Sequence, residues 1–333
     1  MVHHELIRCI IAIFMTIGTF GNVNVIVAIA RKKSVRTKNV MLMLFLSIAH
    51  LVCNVSELIG LALHYRYTAM SRRKCFQYNF IYTFFIFFQS SLYLTIALDF
   101  YFSIVSPFKH KLWKKSRYVV AMLIFPICFS MFCNILGLYK LTDDIAPYCH
   151  FILALDPLIY QSITNLNVIC NMTTLVIITI SLCIVMRKSK NMRGSRHSNS
   201  SKKGSLKEEK HKVFRSTFFM AIIYIVSWVL SSIVFKIAIS ITNEKNTAEL
   251  LCYMMVIVVP NYCQIYFVTY FRSPKMRKAY QEQLHWMACG KLFPKILEEP
   301  KNRVIQAMIS NNMNESKNMS EREVSIKFSE NIK

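Results

Sequence analysis

Long runs of apolar residues alternate with short polar connectors along the first 271 residues of the chain. Seven such runs reach or exceed the roughly 20 residues that an α-helix needs to cross a bilayer. None alternates polar and apolar residues as barrel strands do, and a helix satisfies its backbone polar groups within the segment. The pattern predicts an all-α membrane protein, a bundle of seven transmembrane helices. The predicted helices span about residues 6–30, 39–64, 76–103, 117–138, 157–186, 213–239 and 248–271.

Lysine and arginine residues are concentrated in four of the connecting regions. Five follow the first run, five follow the third, eleven lie between residues 187 and 215, and twelve lie from residue 272 onward. Because cytoplasmic loops of membrane proteins are enriched in these residues, all four regions are predicted to be cytoplasmic. Residues 1–5 then form a short extracellular N-terminus, and the first run acts as an uncleaved signal-anchor. One outer loop is an exception and is also basic, with Arg66, Arg72, Arg73 and Lys74.

The composition supports the same class of protein. Hydrophobic residues make up 54% of the 333 residues and charged residues 17%, below the quarter or so that is usual in soluble domains. The net charge of +24 is also a footprint of nucleic-acid binding. The basic residues lie in the connectors, however, and not on one face of an amphipathic helix. The charge is therefore interpreted as topological, and no nucleic-acid partner is expected.

The region after the seventh run is predicted to leave the membrane core. Residues 272–287 are expected to form a short amphipathic helix on the inner membrane surface. Its apolar face consists of Met276, Tyr280, Leu284 and Met287. Cys289 follows and could carry a lipid or remain a free thiol. Residues 288–333 are polar and are predicted to form a disordered cytoplasmic tail.

Of the eleven cysteines, only Cys75 and Cys149 lie plainly in outer segments. That side of the membrane is oxidising, so a disulfide between them is predicted, with two unpaired thiols as the alternative. The disulfide would join the outer end of the third helix to the loop between the fourth and fifth. Cys9 and Cys252 could form a second pair near the outer ends of the first and seventh helices.

The sequence contains no catalytic motif of the common kinds. There is no His-Glu-x-x-His segment, no Gly-x-Ser-x-Gly segment and no phosphate-binding loop. Its nine histidines are scattered along the chain. An enzyme is therefore not expected, and neither a cofactor nor a bound metal is predicted.

Few ionisable residues lie inside the apolar runs, and each is costly there, by ~2.5–3.5 kcal/mol at the bilayer centre. His50 lies in the middle of the second run, and Glu57 lies about two turns further out on the same face. Asp99 lies near the inner end of the third run. Glu57 could sit in a ligand cavity and pair with a cationic group. Alternatively, it is neutral and hydrogen-bonded to a Tyr, Ser or Asn of a neighbouring helix.

Several short motifs accompany the predicted helices. They are Gly21-Asn22, Glu57-Leu58-Ile59-Gly60, Arg72-Arg73-Lys74-Cys75-Phe76, Ser227-Trp228, and Val268-Thr269-Tyr270-Phe271-Arg272-Ser273 followed by Arg277-Lys278-Ala279-Tyr280. Gly21-Asn22, Trp228 and the 24-residue step from Cys75 to Asp99 resemble rhodopsin-like G-protein-coupled receptors. All of these motifs together show a closer resemblance to the nematode Srsx-type serpentine chemoreceptors, from about Gly18 to Tyr280.

The resemblance implies a G-protein-coupled chemosensory receptor in the plasma membrane, with the cilia of sensory neurons as an expected location. A small organic ligand or a peptide would bind in an outer pocket between helices three, five, six and seven, near Glu57. The inner face would engage a heterotrimeric G protein, and the basic inner loops would face acidic membrane lipid. Each pocket residue could instead serve helix packing. The residues expected to line the pocket are Tyr82, Thr83, Ile86, Trp228, Ser231, Ser232 and Phe235.

The resemblance also places a signalling switch at the inner end of the third helix, where this chain departs from the family pattern. Family members usually have Asp-Arg, and this chain has Asp99-Phe100-Tyr101. The arginine pairs with the aspartate at rest and contacts the G protein when active, and Phe100 can do neither by charge. Trp228 and Tyr270 are the other residues expected to take part in the switch.

Gly21, Asn22 and His50 are expected to have structural roles. His50 stands where many rhodopsin-like receptors have an aspartate that helps to hold sodium, and a histidine is a poor sodium ligand. No metal site is therefore expected. Leu230 replaces a proline of helix six, and helix seven lacks the usual Asn-Pro-x-x-Tyr segment.

Three alternatives to a signalling chemoreceptor remain open. Phe100 allows a receptor-fold protein whose coupling is weak or lost. A receptor for a neuropeptide or transmitter would have the same architecture. A transporter or channel is less favoured, because paired intramembrane charges and repeated halves are not evident.

Overall fold

The computed structural model describes residues 2–64, 70–146, 149–194, 230, 233 and 244–288. This part of the chain is almost entirely helical. The long helices are α1 (Val2–Arg31), α2 (Lys38–His64), α3 (Arg72–Val105), α5 (Lys115–Tyr139), α7 (Pro157–Gly194) and α8 (Glu244–Arg272). The short ones are α4 (Pro107–Leu112), α6 (Phe151–Ala154), α9 (Pro274–Met287) and a 3-10 turn (Lys33–Val35). Two short strands, β1 (Met70–Ser71) and β2 (Ile145–Ala146), pair antiparallel.

Within the described residues, α1, α2, α3, α5 and α7 are long and apolar enough to cross a membrane, and α8 contains a shorter apolar stretch, Val256–Phe271. These six helices coincide with six of the seven predicted spans. The predicted span 213–239 lies outside the described residues, apart from Leu230 and Ile233, which are both helical. The all-α membrane bundle predicted from the sequence is confirmed.

Several helix ends differ from the predicted boundaries. α1 begins at Val2, inside the segment predicted as a short N-terminus. α3 begins at Arg72 because the Ser71 side chain caps it, accepting a hydrogen bond from Lys74 N at 3.4 Å. α7 continues to Gly194, well past the end of the apolar run, because Arg, Lys and Met are good helix formers. Hydropathy marks the membrane span and not the end of the helix.

α3 is the central helix of the described bundle. In its most apolar stretch, 78% of the residues are buried, compared with 28–39% in α1, α2, α5 and α7. It packs against α2, α5 and α7. The outer face of α5, in contrast, exposes large apolar side chains, as expected of a helix that faces lipid. They include Val120, Ile124, Phe132, Ile135 and Leu138.

α1 and α8 pack closely through small residues of α1. A Cβ atom added at Gly21 would lie 2.9 Å from Tyr266 Cβ, so a side chain at this position would force the helices apart. Asn22 Nδ2 donates hydrogen bonds to the carbonyl oxygens of Gly18 and Tyr262, both at 2.8 Å. Gly21 and Asn22 therefore join α1 to α8.

The described chain divides into two compact units, residues 1–277 and 278–333. The boundary falls within α9, which forms at the position predicted for the amphipathic helix. Of the second unit, the structure describes residues 278–288. Cys289 and the predicted disordered tail lie outside the described residues.

Candidate functional site

One end of α3 is covalently attached to the segment that precedes α6. Cys75 and Cys149 form the predicted disulfide, with their Cα atoms 5.3 Å apart. Asn79, one turn further along α3, donates to Cys75 O at 2.9 Å and contacts Cys149 Sγ at 3.2 Å. Cys9 is an exposed free thiol, so the second predicted disulfide, with Cys252, is wrong. This end of the bundle is called the disulfide end below.

The basic motif that begins α3 binds the same connecting segment. Arg73 pairs with Asp143 at 2.9 Å, and its backbone N–H donates to Thr142 O. Arg72 donates from Nη1 to Leu155 O at 3.1 Å. These contacts account for Arg72 and Arg73, two of the four basic residues in the outer loop that departs from the charge pattern. The ion pair is largely exposed, so the contacts orient the segment more than they stabilise it.

The three predicted pocket residues of α3 lie just beyond the disulfide and are buried. The Tyr82 ring packs edge-on against Phe151 of α6, with ring centroids 5.4 Å apart. Thr83 donates its hydroxyl to Asn79 O, within its own helix, at 2.8 Å. Ile86 lies one turn further along. The predicted pocket residues of helix six, Trp228, Ser231, Ser232 and Phe235, lie outside the described residues.

A polar cluster joins α2, α3 and α8 near the middle of the bundle. His50 Nε2 lies 3.5 Å from the hydroxyl of Tyr93, and the His50 ring packs against Tyr262 with centroids 5.6 Å apart. Gln264 Nε2 donates to the Tyr93 hydroxyl at 2.5 Å and also to Asn261 Oδ1. Sequence reasoning identified His50 but missed its partners. Two polar residues three positions apart in an apolar run, Asn261 and Gln264, could have indicated a polar contact with a neighbouring helix.

Glu57 lies on α2, two turns from His50, and its side chain is only partly buried. One carboxyl oxygen, Oε1, is itself buried and has no hydrogen-bond partner in the part of the chain that the structure describes. Among the described residues, no Tyr, Ser or Asn of a neighbouring helix hydrogen-bonds this oxygen, and the neutral state of Glu57 stays a prediction. A buried carboxyl oxygen without a partner is costly, which makes Glu57 a candidate ligand contact.

A second polar cluster, also missed from the sequence, joins α3 to α7. The Ser90 hydroxyl lies 2.5 Å from the Asn167 amide oxygen and 2.8 Å from that of Asn171. All three side chains are buried. A hydroxyl has a single proton, so it donates to one amide and the other must present its NH₂ group. Two asparagines four residues apart in an apolar run share one helical face, and that spacing was the signal.

At the opposite end of α3, Asp99 is 2% exposed and bound by three other elements. Its Oδ1 accepts a hydrogen bond from the Tyr118 hydroxyl of α5 at 2.7 Å and lies 2.8 Å from His110 Nε2 of α4. Its Oδ2 accepts from Asn39 Nδ2 of α2 at 3.2 Å. Buried carboxylates require such partners. This set of residues, Asp99, His110, Tyr118 and Asn39, is called the Asp99 cluster.

The residues around the Asp99 cluster hold α4 in place. Lys38 of α2 donates to the His110 carbonyl oxygen and lies 4.8 Å from the centre of the Tyr118 ring. The His110 and Tyr118 rings pack edge-on at 5.2 Å. Phe100, where the resemblance implies an arginine, is buried at 8% exposure, and Tyr101 is partly exposed. The partners of Asp99 thus come from α2, α4 and α5 and not from the next residue of α3.

The Arg277 motif, which follows α8, caps the C-terminus of that helix. Arg277 of α9 donates to the carbonyl oxygens of Tyr270 at 3.1 Å and Phe271 at 3.0 Å, and so caps the C-terminus of α8, where backbone carbonyl groups run out of donors within the helix. Its guanidinium lies 5.9 Å from the Tyr270 ring centre. Ser273 Oγ accepts from Met276 N and begins α9. Tyr270 therefore lies at the end of α8, beside a bound arginine.

The disulfide, the polar clusters and the Arg277 motif all lie in a part of the chain that one family model matches. The family model described as serpentine type 7TM GPCR chemoreceptor Srsx matches residues 15–284, well over half of the chain. The chain belongs to the Srsx family of serpentine chemoreceptors. Srsx is a receptor family and not an enzyme family, which agrees with the absence of catalytic motifs in the sequence. A comparison with curated proteins gives no match.

The Srsx match includes both ends of α3, with the disulfide and the Asp99 cluster, and the Arg277 motif. The chain is therefore a serpentine seven-transmembrane receptor of the chemosensory type. Within the described residues, Asp99 has its hydrogen-bond partners on α2, α4 and α5.

Proposed function

We propose that this Srsx receptor is a plasma-membrane chemoreceptor that binds a small organic ligand or a peptide at the disulfide end. It signals to a heterotrimeric G protein at the end with the Asp99 cluster. The family match carries the proposal. The positions of the two candidate sites support it, because 24 helical residues separate Cys75 from Asp99, or ~36 Å at about 1.5 Å per residue. That distance is comparable to the thickness of a bilayer.

The orientation of the receptor in the membrane follows from the two ends of α3. A disulfide forms in an oxidising compartment, and the basic connectors lie at the other end of α3. The disulfide end is therefore extracellular, and the Asp99 cluster faces the cytoplasm. α9 would lie along the inner membrane surface. Expression in ciliated sensory neurons is expected, and a reporter under the native promoter would test it against expression in interneurons or muscle.

The ligand site is proposed to lie below α6, among Tyr82, Thr83 and Ile86 of α3. The contact between Tyr82 and Phe151 supports this, because it places the disulfide-bound segment directly over these residues. Glu57 would contribute its buried carboxyl oxygen to a cationic or hydrogen-bonding group of the ligand. The helix-six residues Trp228, Ser231, Ser232 and Phe235 would complete the pocket. Mostly apolar walls with a few polar groups suit small organic molecules.

The switch is proposed to work through α4. In the resting state, the Asp99 cluster holds α4 against α2, α3 and α5. His110 and Tyr118 then supply the hydrogen bonds that arginine supplies in relatives with Asp-Arg. Ligand binding would shift the population toward a state in which this cluster is broken and the G protein gains access. Tyr101, Trp228 and Tyr270 are proposed to move with the helices that they belong to.

Expression in a heterologous cell tests the receptor function. The chain would be challenged with volatile and peptide ligands while cAMP and calcium are recorded. A ligand that evokes a response should lose potency in Ile86→Trp, which fills the proposed pocket. Potency should be unchanged in Ile124→Trp, a matched change on the lipid-facing surface of α5. Equal loss in both variants would argue against the proposed pocket.

A second candidate function is ligand binding without G-protein coupling. The burial of Phe100 favours it, because a buried phenylalanine cannot make the charged contact that arginine makes with a G protein. Such a protein would act as a ligand sink or as a partner of another receptor. It would bind a labelled ligand with normal affinity, yet the ligand would not accelerate nucleotide exchange on any G protein.

A further inference from the structure

The short helix α4 presents an apolar face that the other described residues do not cover. Phe108 is 84% exposed and Leu112 is 82% exposed. Successive residues of an α-helix are about 100° apart, so Phe108 and Leu112 share one side of α4 and His110 lies on the opposite side. Because His110 is bound to Asp99, the apolar side is directed away from the bundle. Trp113, next along the chain, is also exposed.

Basic residues surround this apolar face. Lys109 and Lys111 flank it on α4, Lys114 follows, and all three are exposed. The sequence has no acidic residue between Asp99 and Asp143, so no negative charge on this segment offsets them. Large apolar side chains with lysines on both sides are typical of helices that lie in a membrane interface.

The neighbouring helices place this face at the membrane surface. α3 ends at Val105 and α5 begins at Lys115, and both are membrane-spanning. Val105 at the end of α3 and Val120 in the first turns of α5 are exposed apolar residues of the lipid-facing surface. The apolar residues of α4 continue that surface between the two helices.

We propose that α4 is an anchor to anionic lipid. Phe108, Leu112 and Trp113 enter the boundary between headgroups and acyl chains, and Lys109, Lys111 and Lys114 bind acidic phospholipid headgroups. The inference rests on the proposed orientation, which places α4 at the anionic inner leaflet. The Asp99 cluster and the membrane then hold opposite sides of the same helix, so lipid charge would influence the switch.

Trp113 is a natural reporter for a test with the full chain. The chain is reconstituted into nanodiscs of phosphatidylcholine, with or without phosphatidylserine, and with or without brominated acyl chains. The emission of Trp113 is obtained as the difference between the wild type and Trp113→Phe. We expect brominated lipid to quench this component, more strongly when phosphatidylserine is present. High salt should abolish the phosphatidylserine-dependent part.

Charge variants provide the matched comparison. Lys109→Gln/Lys111→Gln should lose the phosphatidylserine-dependent quenching. Lys74→Gln/Lys140→Gln, with the same charge change at exposed positions of the disulfide end, should retain it. An intact Cys75–Cys149 disulfide and monodisperse nanodiscs show that each variant is folded.

Two results would overturn the proposal. In the first, aqueous iodide quenches the Trp113 component, brominated lipid does not, and phosphatidylserine has no effect. In the second, Trp113 becomes protected only after a G-protein heterotrimer is added, which identifies the face as a docking site for protein. The measurement of Trp113 quenching by lipid requires neither a ligand nor signalling. A silent receptor with lipid-quenched Trp113 would therefore contradict only the proposed signalling function.

Discussion

At the scale of single residues, the main feature is how a buried aspartate is satisfied without the arginine that usually follows it. Asp99 is bound by Tyr118, His110 and Asn39, and the next residue, Phe100, is itself buried. A hydrogen bond to a charged group contributes about 1.5–3 kcal/mol. Three such bonds from three different elements make Asp99 the point at which α2, α4 and α5 meet α3.

The Tyr118→Phe substitution tests the contribution of the shortest of these bonds. It removes one hydroxyl and leaves a buried carboxylate oxygen with one donor fewer. We expect a loss of about 1–3 kcal/mol in stability and a higher basal signal, because the resting cluster is weakened. Thermal unfolding in detergent and basal cAMP in cells measure the two effects. Tyr139→Phe, an exposed tyrosine of the same helix, is the control and should change neither.

The His110→Gln substitution separates the charge of the ring from its hydrogen bond. Glutamine can donate to Asp99 through its amide but cannot carry a positive charge. If an ion pair holds the resting state, His110→Gln should raise basal signalling as much as His110→Ala. If a hydrogen bond is enough, His110→Gln should retain the wild-type basal signal. Lys140→Gln, at an exposed position of the disulfide end, provides the reference. A normal basal signal in His110→Ala would contradict a role for the cluster in the switch.

The aspartate could be identified from the sequence, but its partners could not. Asp99 stands out as an ionisable residue in an apolar run. His110 and Tyr118 belong to separate elements, and their approach to Asp99 depends on a six-residue helix that hydropathy does not detect. The partners of His50 were missed for a different reason. Asn261 and Gln264 are uncharged, and one polar residue in an apolar run shows little of which neighbour it will meet.

At the scale of elements, six of the seven apolar runs correspond to described helices, because the bilayer fixes both the length and the type of its spanning elements. Helix ends were predicted less well, since they depend on local capping. Ser71 caps the start of α3, and Arg277 binds the last carbonyl groups of α8. Arg36 binds the carbonyl oxygens of Ile29 and Ala30 at the end of α1 in the same way. In the sequence, Arg36 was counted only as a loop charge and Arg277 was also part of a motif, but neither was predicted to cap a helix.

The capping role of Arg277 leads to a prediction about α8. Arg277→Gln removes two hydrogen bonds to Tyr270 and Phe271, whereas Lys278→Gln removes the same charge from the next residue. We expect Arg277→Gln to lower the free energy of unfolding by about 1–2 kcal/mol and to speed amide exchange in the last turn of α8. Hydrogen exchange of the reconstituted chain provides the measurement. Equal effects of the two variants would show that charge, and not capping, matters here.

The disulfide is expected to act mainly on the ligand site. The loop that it closes contains α5 and the segment leading to α6, and removing such a bond typically costs about 2–4 kcal/mol. The Cys75→Ser/Cys149→Ser variant should lose ligand affinity more than it loses folded protein, because Phe151 would no longer be held over Tyr82. Ligand binding per folded receptor is the quantity to compare. Cys128→Ser, at an exposed free thiol of α5, is the control.

At the scale of the whole molecule, α3 connects the two ends to which we assign ligand binding and signalling. Its disulfide end holds the segment that covers the proposed ligand site, and its other end carries the Asp99 cluster. Polar contacts to α7 through Ser90 and to α8 through Tyr93 lie between them. A ligand that moves α7 or α8 relative to α3 would alter these contacts. α7 and α8 are therefore candidates to transmit a ligand-induced change from the disulfide end to the Asp99 cluster.

The most direct test of a signalling chemoreceptor is the response of cells that express either the wild type or Phe100→Arg to the same ligand. We expect the wild type to raise or lower cAMP or calcium on its own, because the Asp99 cluster replaces the aspartate–arginine pair. Phe100→Arg should change this response little. Surface expression of both proteins must be equal. A silent wild type beside a responsive Phe100→Arg variant would contradict this function and show that the chain has lost coupling.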